Sequence, residues 1–190
     1  YALLRPEFSE AKKKASFRSG AVKRILVFMG GSDPYNLTAK ILEALLQPEL
    51  SDLEVNVLIG ESNPYHEIIH KLASMRNNVH IDIQSANVAT AMVNADLAIA
   101  SGGVTTWEMM CLGLPSLNIS FAENHKTLLE ELANNNFLTL LGREPEVDLD
   151  LISQPMIADP DVYRVGDFIS VDSYPIGSTG NDGFGTFTYE

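Results

Sequence analysis

Apolar residues along this chain gather into short runs, separated by stretches with a helical rhythm. The runs are Lys23–Met29, Val55–Ile59, Val79–Ile83, Leu97–Ala100, Pro115–Ile119 and Phe137–Leu141. They are rich in Val, Ile and Leu, and their length and flanking turn residues predict buried strands. Between them, apolar positions recur at a period near 3.6 residues. Leu37, Ile41, Leu45 and Leu46 follow Asp33-Pro34; Tyr65, Ile68, Ile69 and Leu72 fall within Pro64–Met75; Val88, Ala89, Met92 and Val93 make a shorter set. Trp107, Met110, Cys111 and Leu112 form a fourth set ended by Gly113, and residues 124–135 a fifth. Asp33 is a favoured N-cap and Pro34 suits a first helical turn, so a helix is predicted from that point. Strand and helix alternate over short loops. This predicts an α/β fold: a doubly wound parallel sheet, helices on both faces, right-handed crossovers.

Two strands end in small-residue turns, the first at Gly30-Gly31-Ser32 and the fourth at Ser101-Gly102-Gly103. In a sheet of order 3-2-1-4-5 those strands are neighbours, and the crevice between their carboxyl ends is where ligands bind in such folds. The fourth turn leads into Val104-Thr105-Thr106-Trp107-Glu108. Thr105 and Thr106 sit where a first helical turn leaves backbone N–H groups unpaired, and an anion satisfies such groups. The helix dipole adds roughly half a positive charge there. The turn is therefore read as holding the phosphates of a nucleotide, with Glu108 accepting hydrogen bonds from the sugar hydroxyls. The rival reading is a plain strand-to-helix turn that binds nothing. The first turn is not the Gly-x-Gly-x-x-Gly fingerprint and the chain has no Gly-Lys-Ser/Thr loop, which excludes a conventional NAD domain and a P-loop ATPase.

Composition narrows this further. The chain has 190 residues, 45% hydrophobic, with a formal net charge of -12. That charge argues against nucleic acid as a partner, since nucleic-acid binding needs a basic footprint. It also means that an anionic ligand must be held chiefly by backbone N–H groups and helix ends. The single cysteine, Cys111, forms no intrachain disulfide and is read as a small core residue rather than a nucleophile. With no secretory signal and no run approaching the roughly 20 apolar residues of a membrane span, the expected compartment is the cytoplasm. The chain opens on Tyr1, which points to a fragment of a longer protein. Residues 1–20, with Lys12-Lys13-Lys14, are expected to be an interdomain linker, 21–156 a Rossmann-like domain, and 157–190 an irregular tail of unknown role. His66 and His70 have the spacing of a metal pair, but no third ligand accompanies them and they are read as surface histidines. Trp107 is read as core, Glu130-Glu131 as a solvated helix face, Asn36 as a weak polar candidate, and Glu123 as a cap or a site residue.

Several segments together resemble one family. Gly30-Gly-Ser-Asp-Pro-Tyr-Asn-Leu-Thr38, Ser101-Gly-Gly-Val-Thr-Thr-Trp-Glu108, Cys111-Leu-Gly-Leu-Pro-Ser116 and Ala122-Glu-Asn124 are similar to the C-terminal half of the UDP-sugar hydrolases of pseudaminic acid biosynthesis. That family acts on UDP-2,4-diacetamido-2,4,6-trideoxy-beta-L-altropyranose and includes spore coat polysaccharide proteins. Tyr1-Ala-Leu-Leu-Arg-Pro-Glu-Phe8 resembles the segment joining that family's two domains. A more distant resemblance is to the nucleotide-binding half of two-domain (GT-B) glycosyltransferases. The resemblance implies the C-terminal domain of a GT-B fold that binds a UDP-sugar without cofactor or metal. Gly30, Gly31 and Ser32 would line the cleft. Gly103, Val104 and Thr105 would take the diphosphate, with Gly102 and Thr106 beside them, and Glu108 the ribose. The uracil would lie near Ile83, and Glu123 and Asn124 would face the sugar. No catalytic residue is expected in this chain, because the family's general base, a histidine, belongs to the N-terminal half. Two departures stand out: His125 replaces a common glutamine, and the match fades after Leu141-Gly142. Two rivals remain open, the nucleotide-binding half of a glycosyltransferase and a non-catalytic subunit that completes another chain's site.

Overall fold

The computed structural model describes residues 4–16, 18, 21–147 and 152; the expected tail, 157–190, lies outside the described residues. Six strands form one parallel sheet in the order β3-β2-β1-β4-β5-β6. They are β1 (Arg24–Phe28), β2 (Glu54–Ile59), β3 (Val79–Ile83), β4 (Leu97–Ser101), β5 (Ser116–Ser120) and β6 (Thr139–Arg143). The helices are α1 (Pro6–Lys12), α2 (Leu37–Leu45), α3 (His66–Ala73), α4 (Val88–Asn94), α5 (Val104–Cys111) and α6 (Glu123–Asn134). The predicted doubly wound α/β sheet is thus the observed one.

The period of two along each strand divides the core. Ile25, Val27, Val55, Val57, Leu97, Ile99, Leu117 and Ile119 cluster with Leu37, Ile41 and Leu45 of α2 and Ile69 of α3. The alternate positions, Leu26, Leu58, Ala98 and Ala100, cluster with Val88, Ala89 and Met92 of α4, Met109 of α5 and Leu112 just past its end, and Phe8 of α1. Each fully buried aliphatic side chain of this kind is worth about 1.5–3 kcal/mol. A third cluster joins Met110 of α5 to Leu129 and Leu132 of α6, and Trp107, expected in the core, is partly buried and packs against its edge.

Expected boundaries move: the strand expected over Phe137–Leu141 runs Thr139–Arg143, the helix expected over Pro64–Met75 runs His66–Ala73, and two changes nearer the amino terminus are larger. The helix expected from Asp33-Pro34 starts at Leu37. Asp33 still caps it, but from four residues upstream: its Oδ1 accepts from the Leu37 N–H at 2.8 Å and its Oδ2 from the Thr38 N–H at 2.8 Å. The left-handed conformations of Asp33 and Asn36, with φ of 37° and 55°, make the intervening loop. Within the segment expected as a linker, Pro6–Lys12 is helical, started by Pro6 and anchored by Phe8, which is fully buried.

Three arginines tie distant segments together. The Arg18 guanidinium donates to the carbonyls of Met92, Ala95, Leu112 and Gly113, the exposed acceptors where α4 and α5 end. Arg76 does the same for Leu45, Leu50, Ser51 and Leu53, closing the turn between α2 and β2. At the amino ends of β1 and β4, Arg24 pairs with Asp96 at 2.8 Å. Burial works to raise the Asp96 carboxyl, but hydrogen bonds from Arg24 and from the Lys23 and Arg24 N–H groups outweigh it and hold it below the usual carboxylate range.

Candidate functional site

The exits of β1 and β4 are side by side. Phe28 pairs with Ala100, and a β-carbon on Gly30 would sit 3.9 Å from Ser101 Oγ. The β2 exit presses against the same turn from the other side: a β-carbon on Gly60 would lie 2.3 Å from the Gly31 carbonyl oxygen and 2.6 Å from its Cα. Only glycine fits there. Gly31 itself has open space where a side chain would go, and Gly31 and Ser32 are exposed. The first turn is therefore held by backbone contact beneath and left bare above.

Helix α5 starts at this crevice. Gly103 occupies its N-cap with φ of 116° and offers no capping side chain, and the first turn carries no acidic residue. Val104 is 59% exposed. Thr106 is fully buried and its Oγ1 has no partner among the described residues. Other unpartnered buried polar atoms are Asn36 Oδ1, Thr38 Oγ1, Asn63 Nδ2, Ser120 Oγ and His125 Nδ1. Ser120 is the last residue of β5, and the others belong to loops or first helical turns beyond the carboxyl ends of β1, β2, β4 and β5. An unpaired buried polar atom costs about 1–3 kcal/mol, and these atoms gather at one end of the sheet.

Residues that local pattern does not single out complete the crevice. The His125 ring lies over the second glycine pair: a β-carbon on Gly102 would meet His125 Cβ at 3.0 Å, and one on Gly103 would meet its Cε1 and Nε2 at 3.4 Å. Phe121 meets His125 edge-on at 6.3 Å between centroids, and Tyr35, from the turn after β1, meets Phe121 at 5.9 Å. The three rings form an aromatic line across the exits of β1, β4 and β5. The only signal in the sequence for this line is the resemblance that singles out position 125.

Glu108, one turn into α5, is buried, and both its oxygens are engaged by Arg5: Nε donates to Oε1 at 2.9 Å and Nη2 to Oε2 at 3.3 Å. Glu123 is exposed and accepts from Arg143 at the end of β6. The Asn124 side chain lies outside the described residues. Ile83 is 42% exposed at the end of β3, three strands from β4, or about 14 Å along the sheet. The structure thus brings residues 30–32, 101–106 and 125 together, puts Glu108 behind them, and sets Ile83 apart. Burial, helped by the Glu108 charge and opposed by Lys12, pushes the Cys111 thiol up, which disfavours the thiolate a nucleophile needs. His66 Nε2 lies 3.3 Å from the Glu61 carbonyl oxygen, and no three His, Cys, Asp or Glu gather as a metal-holding group among the described residues.

Residues 25–138 match the glycosyltransferase family 28 C-terminal domain. The chain belongs to that family. This family 28 domain is 29% identical over 143 residues to the spore coat polysaccharide biosynthesis protein SpsG of Bacillus subtilis, covering 75% of this chain and 42% of that protein. It is 26% identical over 138 residues to the UDP-2,4-diacetamido-2,4,6-trideoxy-beta-L-altropyranose hydrolase of Campylobacter jejuni, covering 72% of this chain and 47% of that one. Among solved structures, MurG of Acinetobacter baumannii superposes with a TM-score of 0.60 at 16% identity, over 87% of this chain and 48% of that one. The chain spans less than half the length of these relatives. The fold is the α/β Rossmann-like fold of GT-B glycosyltransferases. No helix among the described residues is long and apolar enough to cross a membrane.

Proposed function

We propose that this family 28 domain is the UDP-sugar-binding half of a cytoplasmic hydrolase that releases UDP from a deoxy-diacetamido sugar in nonulosonic (pseudaminic) acid biosynthesis. The observation that carries the reading is the start of α5: a helix N-terminus with no internal cap, opening beside the bare Gly30-Gly31-Ser32 turn. An acidic chain can receive an anionic diphosphate there through main-chain N–H groups, because these carry partial positive charge without a counter-charge to desolvate. In this reading Gly103, Val104 and Thr105 hold the diphosphate with Gly102 and Thr106 beside them, and Glu108 accepts from the ribose hydroxyls. Ile83 flanks the uracil, while Glu123 and Asn124 face the sugar. The domain's contribution to the reaction is orientation of the sugar nucleotide and electrostatic stabilisation of the departing diphosphate. The base that activates water comes from an N-terminal half. The likeness to the Campylobacter jejuni hydrolase supports this choice of reaction.

A second reading, glycosyl transfer, is favoured by the family itself, whose description is that of a glycosyltransferase. Both use the same crevice and differ in what the other half delivers to the sugar, water or an acceptor hydroxyl. Calorimetry on the 190-residue chain tests the shared part: UDP should bind with measurable heat and AMP should not, and equal heats would remove the assignment. Product analysis of the full-length protein separates the two reactions, a free sugar marking hydrolysis and a glycoside marking transfer.

A further inference from the structure

Arg5 and Glu108 are 103 positions apart in sequence, yet they form a two-pronged ion pair across the junction between α1 and α5. The Glu108 side chain is 4% exposed and that of Arg5 45%. A carboxylate so buried needs a charged, hydrogen-bonding partner to remain ionised at low cost. Arg5 supplies one in the geometry that fixes the carboxylate plane, a parallel fork that a lysine ammonium does not reproduce. Arg5 is itself held. Its Nη1 lies 3.0 Å from Glu7 Oε1, its guanidinium carbon lies 5.0 Å from the centre of the Phe8 ring, and it takes the N-cap position of α1. Phe8, buried in the same cluster as Met92 and Met109, fastens that helix to the domain.

We propose that Arg5 is a positioning residue for the nucleotide site: its fork holds the Glu108 carboxylate in the orientation that receives the vicinal hydroxyls of a ribose. The inference rests on the nucleotide reading above. An ionised carboxylate offers about four acceptor positions on its two oxygens, and the Arg5 fork takes one on each. Hydroxyl donors use the others, and an acceptor already aligned loses less freedom when they arrive. Occupancy of the ribose position and the docking of the segment ahead of β1 then favour one another, because each is tighter when the other is in place.

Calorimetry on the full 190-residue chain with UDP and with 2′,3′-dideoxy-UDP reads this directly. The unmodified chain should prefer UDP. Arg5→Ala should weaken UDP about tenfold, the scale of a hydrogen bond to a charged group, and scarcely change dideoxy-UDP, so that the preference collapses. Arg5→Lys should fall between. Arg5→Met, which keeps the apolar stem beside Phe8, should lose the preference as Arg5→Ala does, and it carries the test if Arg5→Ala does not fold. Equal weakening towards both nucleotides would reduce Arg5 to a structural clamp on α1, and tighter UDP binding in Arg5→Met would make it a competitor of the ribose; either overturns the proposal. An unmodified chain that prefers UDP, with variants that keep that preference, sinks the Arg5 role alone. An unmodified chain that binds neither nucleotide sinks the nucleotide reading with it.

Discussion

The helices that follow β1 and β4 both start from glycine-rich turns at the same crevice, and they differ in what meets their first N–H groups. At α2 the chain provides its own anion. The Asp33 carboxylate is 1% exposed and takes the N–H groups of Leu37 and Thr38 on its two oxygens. At α5 there is no such group: a glycine caps it, no acidic side chain lies in its first turn, and its first residue faces solvent. A dipole already neutralised by a buried carboxylate has little left for a ligand, and it would repel one. The turn after β1 is therefore a wall of the crevice, and in the proposed reading the helix after β4 is the floor that receives the anion. In an acidic protein this division of labour would matter to the proposed site, because a second negative group near the phosphates would oppose binding through the main chain.

Four substitutions test that contrast. The largest effect is expected where the wall is held. Gly60→Ala drives a methyl group into the Gly31 backbone and should cost about 3 kcal/mol, read as a lowered urea midpoint. Gly31→Ala, with open space around it, should leave that midpoint unchanged; equal losses in the two variants would mean that the wall is not set by this contact. Next, Asp33→Ala should lower stability by about 2 kcal/mol through loss of a buried cap. Added inorganic phosphate should recover part of the loss by taking the vacated N–H groups, and UDP affinity should hardly change. A large fall in UDP affinity would show that α2, not only α5, serves the ligand. The smallest change in free energy, and the sharpest test, is Val104→Asp, which gives α5 an acidic first turn. Thermal denaturation should show a gain of about 0.5 kcal/mol from the helix dipole. UDP affinity should fall about tenfold, or about 1.4 kcal/mol. A variant with unchanged affinity would take the diphosphate away from this helix.

Strand and helix periodicity made the sheet legible, since burial on two faces writes a run of Val, Ile and Leu for each strand. The short loops and the known preference of such sheets then set the order, and with it the adjacency of the 30–32 and 101–103 turns. Helix starts were less legible. Asp33 is correctly read as a cap, but Asp33 and Asn36 are both left-handed and move the helix start to Leu37; Asp and Asn are types that tolerate that conformation without requiring it.

What the sequence determined by itself is its acidic charge and whatever repeats over a few residues: the elements, their faces and the glycine-rich exits. What only the tertiary structure decided are meetings between residues far apart in the chain, for which no local period exists. Arg18 closes the ends of α4 and α5, Gly60 leans on Gly31, Tyr35, Phe121 and His125 line up across three strand exits, and Arg5 clasps Glu108. Each depends on where the sheet delivers two backbones, and a side chain's type records what it can bond to but not what will be brought within its reach.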